Sequence, residues 1–308
     1  MRIAIIGGAG RVGATTAFAL QTAGLGREII LVDVMTEAAQ GEALDLRHGA
    51  AAGGSQHFAS GGMDLMAGAD LVIITAGLRR QPEETRLQLI GRNTALFKDI
   101  LSSLRAVHLA RGVILLVVTN PVDILAHIAA TTAGLPADRV IGLGTALDTL
   151  RFRSLLGERL GVDPAQVDAL VLGEHGDSMV PIWSGATVNG VPLASLTGGD
   201  MGPLHEVFEQ TRRAGAEVIR LKGGAGYAVA LAVAQVVAAI TNDAHALLPV
   251  STLQRGALGI SGVCLSLPTI VARAGVERVI EPQVTDDEAA ALRKSAEVLK
   301  ATLAEVGS

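Results

Sequence analysis

The sequence has a single cysteine, Cys264, among its 308 residues. A single thiol cannot form an intrachain disulfide or a cluster of thiolate ligands, so the composition suits a reducing compartment such as the cytoplasm. The seven histidines show no ligand spacing such as H-E-x-x-H. We therefore expect no metal site.

Long apolar runs are also lacking, since none reaches the ~18 to 20 residues that span a bilayer. The N-terminal apolar run ends at Gly7 and Gly8, which is shorter than a usual signal sequence and is typical of a first strand. We expect a soluble, cytoplasmic protein with no membrane partner.

Aromatic residues and excess positive charge are scarce. Aromatics make up 2% of the chain, and 25 basic against 30 acidic residues give a net charge of −5, which argues against a nucleic-acid partner. Charged residues make up 18% of the chain, below the ~25% of typical domains. This suggests a subunit interface, although a large core alone would also lower the charged fraction.

The first half of the chain alternates short apolar runs with helical patterns, which predicts a parallel sheet with helical crossovers. Runs without polar alternation are typical of strands covered on both faces. The leading fold class is therefore α/β, with a doubly wound sheet. The predicted strands are residues 2–7, 28–32, 71–75, 114–118 and 140–141, and the predicted helices are 12–22, 37–47, 87–111 and 122–133.

The second half has a different pattern, so we predict two compact units, residues 1–145 and 146–308. Asn189-Gly190 predicts a hairpin turn, because both residue types tolerate positive φ. The predicted helices are 147–160, 203–221, 227–244 and 285–305, and the predicted strands are 166–172, 182–188, 191–193, 258–266 and 276–280.

A glycine-rich motif lies between the first strand and the first helix. It reads Gly8-Ala9-Gly10-Arg11-Val12-Gly13, and the next predicted strand ends at Asp33. Glycines there allow a tight turn and close backbone approach to a pyrophosphate, which the helix N-terminus also attracts. Asp33 would bind ribose hydroxyls and repel a 2′-phosphate, which favours NAD over NADP. The alternative is a glycine-rich turn with a capping aspartate.

Two further turns follow predicted strands. Thr75-Ala76-Gly77 is a plausible place for backbone to pass a cofactor, and Thr119-Asn120-Pro121 places Asn120 at the carboxyl end of a strand. Ligands of open α/β sheets bind at that edge. Each segment taken alone is also compatible with an ordinary turn.

Two candidate catalytic segments lie in the second half. His175 lies in Gly173-Glu174-His175-Gly176 after an apolar strand, where an unhindered imidazole suits proton transfer near neutral pH. Asp148 and Arg151 are three residues apart on a predicted helix and share one side of it. A surface histidine and a surface ion pair remain the alternatives.

These motifs, in this order, resemble the lactate/malate dehydrogenase family, and most closely its lactate dehydrogenase-like (type 3) malate dehydrogenase branch. The resemblance implies a Rossmann-type NAD domain followed by a mixed α/β catalytic domain. It implies that His175 exchanges the proton, that Asp148 orients His175, and that Arg151 holds the substrate carboxylate. It further implies that Arg86 polarises the carbonyl, that Asn120 contacts substrate, and that Asn93 and Val118 to Asn120 line the nicotinamide.

The same resemblance suggests the substrate. The position six residues before Arg86 is Arg80, and malate dehydrogenases carry Arg there whereas lactate dehydrogenases carry Gln. A buried guanidinium needs the second carboxylate of a dicarboxylate substrate, because an unpaired buried charge costs several kcal/mol. Ala225 also fits the malate pattern, whereas Glu83 and Glu84 depart from it. The expectation is a malate dehydrogenase of the tricarboxylic acid cycle, with L-lactate dehydrogenase as the alternative.

Three smaller expectations remain. The resemblance implies a homotetramer, or else a homodimer. It also places a sugar-bisphosphate site at Arg153 in related enzymes, but Asp168 would repel that ligand, so we expect no such activation. A catalytically silent NAD-binding sensor is the rival function, and it predicts loss of at least one of His175, Asp148, Arg151 and Arg86.

Overall fold

The computed structural model describes residues 1–79 and 83–307. The strands in these ranges are β1 (Arg2–Ile6), β2 (Glu28–Val32), β3 (His57–Gly61), β4 (Leu71–Ile74), β5 (Ile114–Val117), β6 (Val140–Gly142), β7 (Val167–Leu172), β8 (Val180–Val188), β9 (Val191–Pro192), β10 (Ala246–Arg255), β11 (Ser261–Ala272) and β12 (Gly275–Val279). The helices are α1 (Arg11–Thr22), α2 (Thr36–Gly49), α3 (Arg86–Arg105), α4 (Val122–Thr132), α5 (Ala146–Leu160), α6 (Leu193–Leu196), α7 (Gly202–Lys222), α8 (Tyr227–Thr241) and α9 (Asp286–Glu305).

The first six strands form a parallel sheet in the order β3-β2-β1-β4-β5-β6. All four residues of β4, Leu-Val-Ile-Ile, are buried. Side chains covered on both faces explain the continuous apolar runs of the sequence. The predicted α/β class with a Rossmann-type sheet is confirmed.

The sheet continues beyond β6 as an antiparallel meander of β10, β11 and β12. Ser251 of β10 pairs with Gly142 of β6, so nine strands form one sheet. Strand β10 was not predicted, because its buried Ser251, Thr252 and Gln254 hide the apolar signal. The boundary between residues 145 and 146 stays a prediction.

Two more differences from the predicted elements are local. Strand β3 was missed because His, Ser and Gly dominate this short edge strand. Helix α3 ends at Arg105 rather than at residue 111, because the following segment pairs with a neighbouring loop. There Gly68 N donates to His108 O, and Ala110 N donates to Ala69 O.

The smaller sheet has the order β7-β8-β9. The predicted hairpin turn between β8 and β9 is confirmed, with φ of 48° at Asn189 and 81° at Gly190. An aromatic cluster packs beneath this sheet, where Phe152 of α5 meets Trp183 and Phe208 edge to face. This packing anchors α5 against β8 and α7.

Two apolar layers cover the faces of the large sheet. One contains side chains of α3, α4 and α9, including Phe97, Ile124 and Leu299. The other contains side chains of α1, α2 and α8, including Ala17 and Val233. The carboxyl ends of the parallel strands therefore meet at one edge between these layers.

Within the described ranges, no helix combines the length and the apolar character needed to cross a membrane.

Candidate active site

The loop between β1 and α1 is shaped by its glycines. A Cβ added at Gly13 would lie 2.2 Å from the Gly7 carbonyl oxygen, and one at Gly8 would lie 2.7 Å from Leu31 Cβ. Gly10 lies just before α1 and has no side chain to cap the helix. The first-turn amides of α1 and its positive dipole end are thus available to an anion.

The carboxylate of Asp33 lies beside this loop at the end of β2. Its Oδ2 accepts from the Ala9 amide at 3.0 Å, and its Oδ1 accepts from the Met35 amide at 3.0 Å. A carboxylate held next to a phosphate-binding loop fits ribose hydroxyls and opposes a further phosphate. The residues present therefore fit NAD.

Three segments of the carboxyl edge pack tightly on one another. Thr75 Oγ1 donates to the Ile6 carbonyl at 3.0 Å, and Thr119 Oγ1 donates to the Ala76 carbonyl at 2.7 Å. A Cβ added at Gly77 would lie 2.6 Å from Thr119 Cγ2, so a larger residue there would force Thr119 to move. The structure brings these predicted cofactor residues together with the glycine loop.

Asn93 lies behind this edge and holds the main chain of Leu78. Its side chain is 3% exposed, its Oδ1 accepts from the Leu78 amide at 2.7 Å, and its Nδ2 donates to the Leu78 carbonyl. Asn93 therefore fixes the chain that leaves β4. Val118 is half-buried and Asn120 is exposed at the same edge, and the Asn120–Pro121 peptide bond is cis.

The two predicted catalytic side chains, His175 and Asp148, form one connected group with the predicted substrate-binding residue Arg151. His175 Nδ1 lies 2.5 Å from Asp148 Oδ2, and Arg151 Nη1 donates to Asp148 Oδ1 at 3.1 Å. Asp148 is 1% exposed, Arg151 is 13% exposed and His175 is 17% exposed. The spacing on α5 brings Asp148 and Arg151 together, and the loop after β7 adds His175.

Charges within this group set its protonation. Burial would lower the pKa of His175, but the charge and hydrogen bond of Asp148 outweigh burial and raise it. Burial would likewise raise the pKa of Asp148, but His175 and Arg151 outweigh burial and lower it. The pair therefore favours an imidazolium beside a carboxylate. An imidazolium held in one orientation can donate a proton.

The loop that carries His175 is held by residues distant in sequence. Gly173, at φ +87°, exchanges backbone hydrogen bonds of 2.9 and 3.0 Å with Ser266 of β11. Ser295 Oγ on α9 accepts from the Glu174 amide at 2.9 Å. The Glu174 carboxylate accepts from the Ser178 amide and hydroxyl at 3.1 and 2.5 Å. Sequence reasoning missed Ser266 and Ser295, since no local pattern marks contacts over such separations.

Asp123 is a third residue that sequence reasoning missed. It lies in the first turn of α4 and is 2% exposed, and its Oδ2 accepts from the His175 amide at 2.7 Å. Burial raises its pKa to about 6, opposed in part by Ser251 and His175. Neither Asp123 Oδ1 nor the Ser251 hydroxyl has a hydrogen-bond partner of ordinary geometry in the described part of the chain. An aspartate two residues after Thr119-Asn120-Pro121, at the start of a predicted helix, was the available signal.

Arg151 retains donors for a substrate. A guanidinium carries five N–H groups, and the bond to Asp148 uses one of them. Helix α7 packs behind this side chain, and a Cβ added at Gly215 would lie 3.7 Å from Arg151 Nη1. The remaining donors could hold a carboxylate close to His175, because Arg151 and His175 both contact Asp148.

The segment before α3 is partly described. Arg80 and the side chain of Arg86 lie outside what the structure describes. Glu84 is 8% exposed and pairs with Arg92 Nη1 at 3.1 Å. Thr85 and Gln88 form a capping box that begins α3 at Arg86.

Across the described residues, no group of three or more His, Cys, Asp or Glu side chains could hold a metal ion.

Comparisons with known proteins place the chain among dehydrogenases. Residues 1–142 match the lactate/malate dehydrogenase NAD-binding domain, and residues 145–308 match the alpha/beta C-terminal domain of the same family. The L-lactate dehydrogenase of Thermoanaerobacter sp. (strain X514) is 41% identical over 99% of both chains. That of Synechococcus sp. (strain JA-3-3Ab) is 42% identical over 95% of both chains.

Solved structures give the same result. The ligand-bound minor L-lactate dehydrogenase of Enterococcus mundtii has a TM-score of 0.94 and 37% identity, and the match covers 98% of both chains. The lactate dehydrogenase MGS-M5, from a Medee basin deep-sea metagenome library, has a TM-score of 0.94 and 33% identity. That match covers 100% of this chain and 99% of the other.

These relatives correct the predicted substrate. The prediction of a malate dehydrogenase in the tricarboxylic acid cycle is wrong, because relatives at 41 to 43% identity over nearly the whole chain are named L-lactate dehydrogenase. The prediction depended mainly on one side chain, Arg80. Its position in the sequence does not show which group of the substrate it would contact. Glu84, which departs from the malate pattern, was the better indicator.

The glycine loop, Asp33 and the His175–Asp148–Arg151 group thus lie in a chain whose two halves match one family along almost their whole length. The chain belongs to the lactate/malate dehydrogenase family and is an NAD-dependent 2-hydroxy acid dehydrogenase.

Proposed function

We propose that this protein is an L-lactate dehydrogenase, which interconverts pyruvate and L-lactate with NAD. The observation that carries the chemistry is the 2.5 Å contact between His175 Nδ1 and Asp148 Oδ2, with Arg151 on the other carboxylate oxygen. The names of the relatives support pyruvate as the substrate. Glu84 supports it as well, because the family resemblance gives Glu at this position in lactate dehydrogenases.

The proton in this reaction belongs to His175. Because Asp148 engages Nδ1, the other ring nitrogen, Nε2, is the one that donates to the keto oxygen of pyruvate. Asp148 holds the imidazole and stabilises its charged form, as an orienting carboxylate does in a catalytic triad. In lactate oxidation the neutral ring takes the hydroxyl proton back. The bound nicotinamide supplies or accepts the hydride.

The other predicted residues bind and orient. Arg151 holds the carboxylate of pyruvate through paired N–H donors, which fixes the keto carbon relative to His175. Arg86 polarises the keto oxygen as the loop closes and excludes water. Asn120 contacts the substrate, and Asn93, Val118 and Thr119 form the wall next to the nicotinamide.

Self-association is part of the proposal, as a homotetramer or a homodimer in the cytoplasm. Large apolar side chains are exposed on the packed helices α1 and α8, with Phe18 58%, Tyr227 72% and Leu231 59% exposed. Water-exposed apolar groups of this size favour burial against a second copy. Light scattering should give a multiple of the 31.5 kDa chain mass, whereas a monomer would contradict this part.

The function is tested by following NADH absorbance with pyruvate and with oxaloacetate at equal concentrations. The expected result is a higher kcat/KM for pyruvate. His175→Gln should lower kcat about 10²- to 10⁴-fold, the usual contribution of a positioned acid. His245→Gln is the matched control, because that histidine also pairs with a carboxylate, Glu277, but on the surface. A preference for oxaloacetate, or full activity in His175→Gln, would refute the proposal.

A further inference from the structure

Arg11 occupies an unusual position for a cation. It is the first residue of α1, where the helix dipole is positive and where the cofactor phosphates are expected. Its side chain reaches across to the second half of the chain, more than 200 residues away. Arg11 Nη1 donates to the Lys222 carbonyl at 2.8 Å and to the Gly224 carbonyl at 2.6 Å.

The far end of this contact is the C-terminus of α7. Lys222 is the last residue of that helix, and Gly223 ends it in the left-handed conformation at φ 76°. The last carbonyls of a helix lack partners within the helix and carry its negative dipole end. The guanidinium satisfies one of these carbonyls and interacts favourably with the dipole there.

The two segments are shaped to meet. A Cβ added at Gly226 would lie 3.2 Å from Arg11 Cγ and 3.3 Å from Thr15 Oγ1, and one at Gly224 would lie 3.3 Å from Arg11 Nη1. Glycines in the connection from α7 to α8 thus allow close approach of α1. The start of α1, just after the glycine loop, therefore packs closely against this connection.

The connection joins α7 and α8, and both of these helices pack against α5, which carries Asp148 and Arg151. Ala225 of the connection and Leu150, which lies between Asp148 and Arg151, pack against the same apolar layer of the large sheet. Helix α7 also backs Arg151 at Gly215. Fixing the end of α7 therefore restrains both the connection and the surroundings of the carboxylate-binding arginine.

We propose that Arg11 is a positioning residue that couples the cofactor loop to the segment 222–226, so that NADH binding orders one wall of the keto-acid pocket. Pyrophosphate bound at the N-terminus of α1 restrains that turn and the side chain that begins it. The two hydrogen bonds transmit the restraint to the end of α7. A coupling of this kind changes the affinity for the second ligand, and here the second ligand is pyruvate.

Three variants test the coupling. Arg11→Ala removes both hydrogen bonds, and Arg11→Lys retains one charged donor that can reach a carbonyl. Arg213→Ala is the control, because Arg213 is an exposed cation of α7 whose ion pair is with Glu209, within the helix. We expect Arg11→Ala to raise the KM for pyruvate about 5- to 20-fold, the range of moderate coupling, with kcat within about twofold. Arg11→Lys should fall between, and Arg213→Ala should match the wild type.

Hydrogen–deuterium exchange of the peptide that contains residues 222–226 gives a second readout. NADH should slow exchange there in the wild type and in Arg213→Ala, but not in Arg11→Ala. The kinetic readout rests on the proposed pyruvate reduction, whereas the exchange readout needs only NADH. A wild type that does not reduce pyruvate would refute the proposed function and leave the exchange readout to decide the coupling.

Two results would overturn the coupling. One is exchange at 222–226 that responds to NADH equally with and without the Arg11 side chain. The other is an Arg11→Ala enzyme whose dissociation constant for NADH rises while its KM for pyruvate does not, which would make Arg11 a cofactor contact only.

Discussion

Asp123 Oδ2 accepts a hydrogen bond from the main-chain N–H of His175 at 2.7 Å, so a buried carboxylate on α4 holds the backbone of the proposed proton donor. Asp148 holds the same residue by its side chain. His175 is therefore fixed at two points by two acidic side chains from different helices. Both negative charges also favour the protonated ring, since Asp148 and Asp123 each raise the pKa of His175.

Asp123→Asn should weaken catalysis without touching substrate. The amide keeps the shape of the carboxylate but loses its charge, and burying an extra N–H without a partner costs about 1 to 3 kcal/mol. We expect kcat to fall about 10-fold, and the pKa of His175 to fall because one raising charge is lost. As pH rises, the kcat/KM for pyruvate reduction should therefore begin to fall at a lower pH than in the wild type. A pH profile that superimposes on the wild-type profile would contradict the electrostatic part.

Local patterns were enough to predict five of the six parallel strands, all but β3, because the apolar run of each strand and the helical pattern that follows it are local in the sequence. They were also enough for the Asp148–Arg151 pair, which is one helical turn apart. The contact of Asp148 with His175 came only from family resemblance. Ser295 and Ser266, which fix the His175 loop from more than 90 residues away, carry no local signal. Long-range contacts of this kind follow from packing rather than from periodicity.

The substrate prediction failed for a related reason. One side chain, Arg80, was assigned a direction from its position in a loop, although the surrounding pocket decides which substrate it can meet. Strand β10 shows the same limit, since its buried polar side chains belong in the core only because neighbouring elements receive them.

Asp148→Asn should shift the pH range of both reactions. Burial lowers the pKa of His175, and without the Asp148 charge this effect is no longer outweighed. Pyruvate reduction needs the protonated ring, so its kcat/KM should fall off at lower pH, whereas lactate oxidation should extend to lower pH. We also expect a loss of kcat of about 10²- to 10⁴-fold, because the ring is no longer held in one tautomer.

The matched control for Asp148→Asn is Glu277→Gln. Glu277 pairs with His245 at 2.8 Å and raises the pKa of that exposed histidine, so this variant removes the same kind of pair outside the site. Its pH profiles in both directions should match the wild type. An Asp148→Asn enzyme with an unshifted reduction profile would show that Asp148 does not set the pKa of His175.

Arg151→Lys should separate binding from chemistry. Lysine keeps the positive charge but cannot form paired, parallel hydrogen bonds to a carboxylate. Losing one charged hydrogen bond costs about 1.5 to 3 kcal/mol, so the KM for pyruvate should rise about 10- to 100-fold. The dissociation constant for NADH, measured by fluorescence, should stay the same. Arg212→Lys, in an exposed pair with Glu209 on α7, is the control. A KM unchanged by Arg151→Lys would remove this residue from the carboxylate site.

Sugar bisphosphate should not activate the enzyme. Arg153 Nε donates to the Ala169 carbonyl at 2.9 Å, and burial lowers the pKa of this guanidinium while the Asp168 charge opposes that effect. A phosphate brought to this place would meet the carboxylate of Asp168 as well as Arg153, so attraction and repulsion largely cancel. Pyruvate saturation curves with and without fructose 1,6-bisphosphate should superimpose.

Asp168→His removes the repulsion and adds a cation below the pKa of the new imidazole, so a response to the bisphosphate should emerge at acidic pH. A sigmoidal wild-type curve that the bisphosphate makes hyperbolic would show that Asp168 does not exclude the ligand.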